Sequence, residues 1–235
     1  MISLHARLEY AVAAICPEIE ARAKLSQAAL NEERLWWELS CCVLSSQVPY
    51  DLAIAAADAI HNQRVLLQRS EDKSNLSAEI AQILWRPLFV NGASRHYRFP
   101  NSKADQLAST RISVTQTSGD LCSLLTELQT ASAAREWLVS NAAGCGPKQA
   151  SMFLRNSGVS YDLAILDRHV LNYMRLTGLQ ARDDPSISTL SRYRKYETKL
   201  RTHAAKLGFA VGLLDWAIWI VMRAARSASM QGTVA

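Results

Sequence analysis

Helical periodicity of apolar residues is the feature that most limits how this 235-residue chain can fold. Apolar residues recur every three or four positions along most of its length, which is the pattern of a helix with one buried face. The stretch LWWELSCCVL, within residues 33–46, is nearly all apolar and predicts a core helix. Only 9 glycines and 6 prolines interrupt the pattern, and no strand pair, repeat or low-complexity tract is convincing. We therefore expect an all-α fold.

Helix-breaking and helix-capping residues divide this pattern into separate helices. Pro17 is expected to end the first helix, and Ser102 is expected to cap a later one. The most linker-like segment is 180–188, although we do not expect it to separate independent domains. The predicted helices cover residues 3–15, 18–30, 33–46, 52–62, 77–85, 102–112, 120–129, 132–141, 148–156 and 168–176, followed by two long C-terminal helices.

Charge and cysteine usage narrow the class of protein. A net charge of +5 and a pI of about 9.0 mildly favour an anionic partner, although many proteins are equally basic without one. The cysteines form no C-x-x-C pair and no four-cysteine cluster, so we expect reduced, mostly buried thiols and no iron–sulfur centre. They are Cys16, Cys41, Cys42, Cys122 and Cys145.

Two apolar stretches could be mistaken for membrane or export signals. The first 20 residues contain acidic residues within their apolar pattern, which is unlike a secretory signal. The longest apolar stretch, GFAVGLLDWAIWIVM, is interrupted by Asp215 and is short for a bilayer. We expect it to be a buried helix, and we expect a cytoplasmic protein without a membrane partner.

A glycine-rich turn between two predicted helices is the first candidate for a binding site. Residues 133–157 are expected to form a helix, a tight hairpin and a second helix. Gly144 and Gly146 allow a sharp turn and a close approach by another chain. Backbone amides at the start of the second helix can then hold a phosphate oxygen of a DNA backbone. An ordinary helix–helix turn explains the same residues without a ligand.

Lys148 stands in the first turn of that second helix, where a positive charge is disfavoured. The helix dipole and partial burial both oppose the ammonium form, and a neutral amine is a nucleophile that can form a Schiff base. The position therefore suits a reactive lysine better than a structural one. A solvent-facing lysine that tolerates the site is the other interpretation.

Asp167 follows an apolar run and precedes a predicted helix, so it is a candidate N-cap. It lies 19 positions after Lys148, which is enough chain to return it beside the lysine across one helix and one loop. A carboxylate there could take the proton of the amine or stabilise positive charge on a sugar. Capping alone would also explain its presence.

These residues carry a resemblance to a known family. The stretch GCGPKQASMFLRNSG followed by LAILDRH resembles the helix–hairpin–helix and aspartate of a DNA glycosylase superfamily. The archaeal-type 8-oxoguanine DNA glycosylase/AP lyase family is the nearest match, and RLWWELSCCVLSSQ, YRFPNSKADQLAST and LLDWAIWIV also resemble its segments. The resemblance implies a two-lobed all-α fold. Residues 35–130 would form a six-helix barrel lobe, and residues 1–34 with 131–235 would form the second lobe, which carries the hairpin.

The resemblance also implies a role for each matching residue of the catalytic core. Lys148 matches the Schiff-base lysine of the family, and Asp167 matches its essential aspartate. Gly144 and Gly146 match the hairpin that holds a backbone phosphate, often with a bound monovalent cation. No other metal or cofactor is implied.

Three further residues match positions at the DNA or the base pocket. Gln47 matches a residue that fills the gap left by a flipped base, and Phe99 and Trp219 match aromatic residues of the base pocket. Each has a plainer interpretation: Gln47 as a residue at the edge of the core, and the two aromatic residues as core. A basic stripe is a candidate phosphate contact, although such a stripe is more often a solvated helix face. It comprises Arg192, Arg194, Lys195, Lys199, Arg201 and Lys206.

The implied function is excision of a modified base from double-stranded DNA by a monomeric, nucleoid-associated enzyme with lysine-dependent AP lyase activity. The chain departs from the family at two places that bear on the substrate. Pro147 stands in the hairpin, and RAARSASMQGTVA replaces the family's short basic tail, whose terminal carboxylate helps to read oxidised guanine. The expected base is 8-oxoguanine, or another modified base such as a hypermodified base of phage DNA, in anti-phage defence. A non-catalytic helix–hairpin–helix DNA-binding protein is the alternative from a different class, and hydrolysis and lysine attack both remain open as mechanisms.

Overall fold

The computed structural model describes residues 3–25, 29–68, 72–181, 187 and 189–231. Within these residues the fold is helical, as the periodicity predicts. It also contains one two-stranded sheet. The helices are α1 (Leu4–Leu25), α2 (Glu32–Leu44), α3 (Tyr50–Asn62), α4 (Lys73–Trp85), α5 (Pro100–Ser118), α6 (Leu121–Glu127), α7 (Ala131–Asn141), α8 (Pro147–Asn156), α9 (Arg168–Leu176), α10 (Leu190–Leu207) and α11 (Val211–Gln231). The strands are β1 (Leu88–Val90) and β2 (Ala93–Arg95).

The chain divides into two compact units, residues 29–157 and residues 1–28 with 158–235. In the first unit, α2 packs against α3, α5, α6 and α8, and α4 packs against α5. Asn31 caps α2 by accepting the backbone N–H of Arg34. The helix that follows is buried from Leu35 to Leu44 except at Trp37, which confirms the predicted core helix.

The start of α5 differs from the prediction. We expected Ser102 to cap this helix, but α5 begins at Pro100 and Phe99 is the residue that precedes it. Proline is favoured in the first turn of a helix because its φ is already helical and it lacks an N–H that would have no partner there. The proline therefore sets the start of the helix, and Ser102 lies inside the first turn.

The small sheet was not predicted. Strands β1 and β2 pair in antiparallel register, with Leu88 opposite Arg95 and Val90 opposite Ala93. Asn91 and Gly92 form the two-residue turn, both with positive φ, which is the conformation that an Asn-Gly pair favours in hairpins. Strands of three residues are too short to show the alternation by which a strand is recognised in sequence.

The second unit combines α1 with the three C-terminal helices α9, α10 and α11. Its core is a single apolar cluster to which all four helices contribute, and α1 packs mainly against α11. Members of the cluster include Val12, Cys16, Tyr173, Leu200 and Ile218.

Helix α1 corrects a predicted boundary. We expected Pro17 to separate helices 3–15 and 18–30, but α1 continues through it, with the proline exposed. A proline inside a helix removes one hydrogen bond and costs about 3 kcal/mol. One face of α1 is buried on both sides of the proline, at Leu8, Val12, Ile19 and Ala23. Tertiary packing of that face outweighs the local cost.

The two units differ in outline from the predicted lobes. Contacts group the hairpin segment 133–157 with residues 29–132, whereas we assigned it to the lobe containing 1–34 and 131–235. The predicted lobe boundaries and the six-helix barrel at 35–130 stay predictions. Most of the linker-like segment 180–188 lies outside the described residues, and so do residues 232–235.

No single helix in the described ranges is long and apolar enough to cross a membrane. Helices α10 and α11 meet that criterion only together, as a pair bent by 91°.

Candidate active site

The predicted hairpin is present in the first unit. Helix α7 ends at Asn141, residues 142–146 form the turn, and α8 begins at Pro147. The N–H of Cys145 donates to the carbonyl of Ala142 at 3.0 Å, which closes the turn. The ends of α7 and α8 agree with the predicted helix ends to within two residues.

The two glycines of the turn are needed for different reasons. Gly144 has φ +76, in the left-handed region, and a Cβ there would lie 2.1 Å from Oε1 of Gln106. Gly146 has φ −77 and ψ 179, which any residue can adopt, and an added Cβ would come within 3.2 Å only of the end of the Gln149 side chain. The backbone conformation therefore requires glycine at 144 but not at 146. At 146 the absence of a side chain leaves the start of α8 open.

A buried arginine braces the hairpin. Arg135 of α7 is almost fully buried, and its Nη1 donates to Oγ of Ser151 at 3.3 Å. Ser151 in turn donates to the carbonyl of Pro147 at 2.9 Å. This connection fixes the first turn of α8 relative to α7.

Lys148 is the second residue of α8 and is half-buried. The first turn of α8 contains no acidic residue, and Gly146 has no side chain with which to cap its amides. Within the described residues of its own unit, no hydrogen bond or ion pair occupies the Lys148 amine. A helix start without a cap and with a free lysine is available to a negatively charged ligand.

Asp167 caps α9, as predicted. Its Oδ1 accepts the backbone N–H groups of His169 at 2.8 Å and Val170 at 2.9 Å. Within the described part of the second unit, no hydrogen bond or ion pair is made by Oδ2. One oxygen of the carboxylate thus holds the helix, and the other is available for chemistry.

The loop before Asp167 is held by buried polar side chains that we did not single out from the sequence. Glu197 accepts the N–H of Ala164 at 2.8 Å, and Asp215 accepts the N–H of Ile165. The hydroxyl of Tyr193 donates to the carbonyl of Ala164 at 2.7 Å. A lone acid inside an apolar helix, such as Asp215, is the signal that could have identified this role, because a buried charge requires partners.

Gly212 is a second residue that sequence reasoning missed. A Cβ at this position of α11 would lie 2.7 Å from the carbonyl oxygen of Tyr161 and 2.9 Å from that of Leu163. Its N–H also donates to the Tyr161 carbonyl at 2.9 Å. The loop that leads to Asp167 therefore lies directly on the backbone of α11, where only glycine fits.

The pKa of His169, two residues after Asp167, is shifted by burial and by the charged groups around it. Burial lowers the pKa of its imidazole, Asp167 opposes this effect, and Arg168, Arg226 and Arg223 add to it. Arg223 lies over the ring of Trp219, with its Cζ 4.9 Å from the ring centroid. Three arginines of this unit therefore lie near His169.

The remaining predicted residues are distributed over the two units. Gln47 is exposed in the turn after α2, where its φ of 62 is unusual for a residue other than glycine. Phe99 is half-buried before α5, with the Arg98 guanidinium 4.9 Å from its ring centroid. Trp219 is half-buried in α11. Gln47 and Phe99 thus share a unit with the hairpin, and Trp219 shares a unit with Asp167.

The thiols are poor nucleophiles. All five cysteines are free, and only Cys122 is not fully buried. Burial raises the pKa of Cys145, in the hairpin turn, to about 12. Burial also raises the pKa values of Cys16 and Cys122 to about 11. Neutral thiols do not compete with a lysine for attack on an electrophile.

In the part of the chain that the structure describes, one group of side chains is close enough to suggest a metal site: Glu32, Asp120 and Cys122. The Glu32 carboxylate instead accepts the N–H groups of Leu121 at 3.0 Å and Cys122 at 2.9 Å, and Nε1 of Trp36 at 2.7 Å. Asp120 accepts the N–H of Ser123. The two carboxylates are thus occupied in capping α6.

Comparison with known proteins settles the family. A family model described as 8-oxoguanine DNA glycosylase matches residues 19–209. The chain belongs to this family. It is therefore a base-excision DNA glycosylase, and the class of enzyme is DNA N-glycosylase/AP lyase.

Relatives and solved structures resemble the glycosylase over most of its length. The 8-oxoguanine DNA glycosylase/AP lyase of Saccharolobus solfataricus is 32% identical over 210 residues, which cover 86% of this chain and 92% of the relative. The crystal structure of the 8-oxoguanine DNA glycosylase of Thermotoga maritima has a TM-score of 0.66 and 30% identity, covering 92% and 94% of the two chains. The fold is shared with the Methanocaldococcus jannaschii 8-oxoguanine glycosylase/lyase in complex with 15mer DNA containing 8-oxoguanine, at a TM-score of 0.64 and 22% identity, covering 86% and 88%.

Proposed function

We propose that this glycosylase excises 8-oxoguanine from double-stranded DNA and cleaves the strand at the resulting abasic site, with Lys148 as the nucleophile. The observation that carries the proposal is the position of Lys148. It follows the glycine turn directly, in a first turn without acidic residues or a side-chain cap. A lysine with a free amine at such a helix start suits attack on an electrophilic carbon beside a bound phosphate.

The chemistry of Lys148 follows from its amine. The neutral amine attacks C1′ of the target nucleotide as the bond between C1′ and the base nitrogen breaks. The base leaves with that electron pair and takes a proton. The nitrogen of Lys148, now bonded to C1′, loses a proton. The C1′–O4′ bond then breaks, O4′ takes the electron pair and a proton, and the C=N bond of the Schiff base forms. A proton is then lost from C2′, a C2′=C3′ double bond forms, and the C3′–O bond breaks with its electron pair leaving on the 3′ phosphate, which cleaves the strand.

Asp167 supplies the carboxylate for this reaction. Because its Oδ1 is held by the cap of α9, the orientation of the side chain is fixed. We propose that Oδ2 takes the proton from the Lys148 ammonium or stabilises the positive charge that develops on the deoxyribose. A preorganised carboxylate stabilises such a charge without having to reorient during the reaction.

The other predicted residues are assigned to DNA and base recognition. We propose that the amides and open space at Gly144 and Gly146 bind a backbone phosphate. The aromatic faces of Phe99 and Trp219 would stack with the extruded base, and Gln47 would fill the gap that it leaves. The positive φ of Gln47 projects an exposed side chain from a tight turn, which supports this role.

A second substrate class has one observation in its favour. The Arg223 guanidinium lies over the Trp219 ring, and Arg226 is also close enough to influence His169. If Trp219 contacts the extruded base, these cations favour a base with additional acceptor or anionic groups. A modified base other than 8-oxoguanine, including a hypermodified base of phage DNA, is therefore the alternative substrate.

Borohydride trapping tests the catalytic proposal. Wild-type protein should form a covalent adduct with duplex DNA containing 8-oxoguanine or an abasic site, and Lys148→Gln should bind the duplex but form no adduct. Lys24→Gln, at an exposed lysine of α1, is the matched control and should trap normally. Base release by wild-type protein without any adduct would show that hydrolysis replaces lysine attack.

A panel of duplexes tests the substrate. Each duplex carries one modified base opposite each normal base, and free base is measured by chromatography. Release of 8-oxoguanine ahead of the other bases supports the assignment. Release of a different modified base, with no release of 8-oxoguanine, would replace it.

A further inference from the structure

A buried lysine lies behind the hairpin turn. Lys103, in the first turn of α5, is 7% exposed, and its Nζ donates to Oε1 of Gln106 at 2.9 Å. Among the described residues, no carboxylate forms an ion pair with this amine. Burial lowers the pKa of Lys103, which is the direction expected for a cation that has lost water without gaining a negative partner.

The partner of this lysine packs on the hairpin. The Cβ that Gly144 lacks would lie 2.1 Å from Oε1 and 2.5 Å from Cδ of Gln106. The same amide oxygen therefore accepts a hydrogen bond from the Lys103 ammonium and lies against the backbone of the turn 142–146. The ammonium is one hydrogen-bonded group away from the residues to which we assign phosphate binding.

Few acidic residues lie near this contact in the chain, and the nearest, Asp105, forms an ion pair with Lys73 at 2.8 Å. Residues 80–104 and residues 137–161 contain no aspartate or glutamate. A buried ammonium with only a neutral partner is costly to the free protein. An anion bound at the turn would offset that cost, and the interaction is stronger behind the protein surface than in water because the effective dielectric constant is lower.

We propose that Lys103 is a positioning residue for DNA phosphate binding, supplying through Gln106 the positive charge behind the turn 142–146. The anion is a phosphodiester of duplex DNA. This inference rests on the proposed function, because it takes the hairpin to be the phosphate site.

The competing explanation is that the hydrogen bond between Lys103 and Gln106 only stabilises the fold. The variant Gln106→Glu distinguishes this structural role from the electrostatic role. The glutamate would form an ion pair with Lys103, so a purely structural contact between residues 103 and 106 would be kept or strengthened. It would also neutralise the ammonium beside the turn, so the electrostatic contribution to phosphate binding would be lost. Lys103→Met removes the charge and keeps the length of the apolar stem.

The experiment measures binding of a fluorescent duplex containing a tetrahydrofuran abasic analogue, by anisotropy, over a range of salt concentrations. The plot of log K against log salt reports the number of neutralised phosphates. Lys103→Met and Gln106→Glu should each reduce the magnitude of its slope by about 1 relative to wild type. Lys24→Met removes one exposed charge as the matched control and should keep the wild-type slope.

Wild-type slopes in Lys103→Met and Gln106→Glu would overturn the inference, and so would a Lys103→Met variant with weaker binding at an unchanged slope. If Lys103→Met does not fold, Gln106→Glu decides alone, with its folding checked by thermal denaturation. The proposed function fails differently, because wild-type protein itself would then neither bind this duplex nor be trapped on an abasic site.

Discussion

The buried carboxylate of Asp215 accepts the backbone N–H of Ile165, two residues before Asp167. Helix α11 thereby holds the loop whose end carries the proposed catalytic carboxylate. Gly212, one turn earlier in α11, lets the same loop lie against the helix backbone. The position of Asp167 in its unit is therefore set by α11 as well as by its own helix α9.

Replacing Asp215 by leucine should lower both stability and turnover. The N–H of Ile165 would be left buried without its acceptor, which costs about 1–3 kcal/mol. Asp215→Asn keeps the size of the side chain and an acceptor oxygen, so it should remain closer to wild type. Urea denaturation and single-turnover base release measure the two effects. Unchanged turnover in a destabilised leucine variant would show that the loop does not position Asp167 for catalysis.

Replacing Asp167 by asparagine should separate capping from catalysis. Asparagine caps helices about as well as aspartate, so the stability of α9 and of the protein should change little. Turnover should fall by about 10²- to 10⁴-fold, because the amide can neither take a proton nor carry negative charge. Single-turnover kinetics with matched urea denaturation provide the measurement. Near-normal turnover would leave Asp167 as a cap only.

Features set by neighbouring residues could be predicted from the sequence. The cap at Asp167, the helix 168–176 that follows it and the turn at 142–146 all depend on residues within a few positions of one another. The position of Pro17 shows the limit of such reasoning. Its local preference was outweighed by the burial of one face of α1 against helices that are distant in the chain.

Contacts between distant residues could not be predicted in this way. Lys103 and Gln106 are separated from Gly144 by about 40 positions, and periodicity does not report that they meet. Glu197 and the loop amide that it accepts are similarly distant. These contacts depend on how helices pack, whereas composition and spacing constrain only which face of a helix is buried.

The two turn glycines should respond differently to alanine. Gly144→Ala should destabilise the protein by about 1–2 kcal/mol, because its φ is in the left-handed region, and it should also displace Gln106. Gly146→Ala should change stability by less than about 1 kcal/mol, since its backbone suits any residue. Its methyl group should nevertheless weaken DNA binding roughly tenfold or more, by removing a charge-assisted hydrogen bond to phosphate.

Urea denaturation and duplex binding, measured on both variants, check this prediction. Wild-type affinity in a folded Gly146→Ala variant would mean that phosphate does not approach the backbone there. Equal loss of stability in the two variants would contradict the distinction between their backbone conformations.

The buried Glu38 should make stability depend on pH. Asn156 Nδ2 donates to its Oε1 at 2.7 Å, which joins α2 to the end of α8. Burial raises the pKa of Glu38 above its ordinary value of 4.5, and hydrogen bonds from Asn156 and Cys42 oppose the rise. Since the folded protein holds this proton more tightly, the contribution of Glu38 to stability is greatest below pH 4.5. It is lost as the pH rises through the folded-state pKa.

Glu38→Gln should therefore gain stability relative to wild type as the pH rises, because glutamine keeps an acceptor oxygen and does not titrate. The difference in free energy of unfolding should grow above pH 4.5, by about 1.4 kcal/mol for each unit between the folded and unfolded pKa values, and then level off. Urea denaturation between pH 4.5 and 8 measures it, with the exposed Glu79→Gln as the matched control. A difference for Glu38→Gln that is constant across this range would mean that the carboxyl does not carry the pH dependence, and burial in α2 would then not govern its proton.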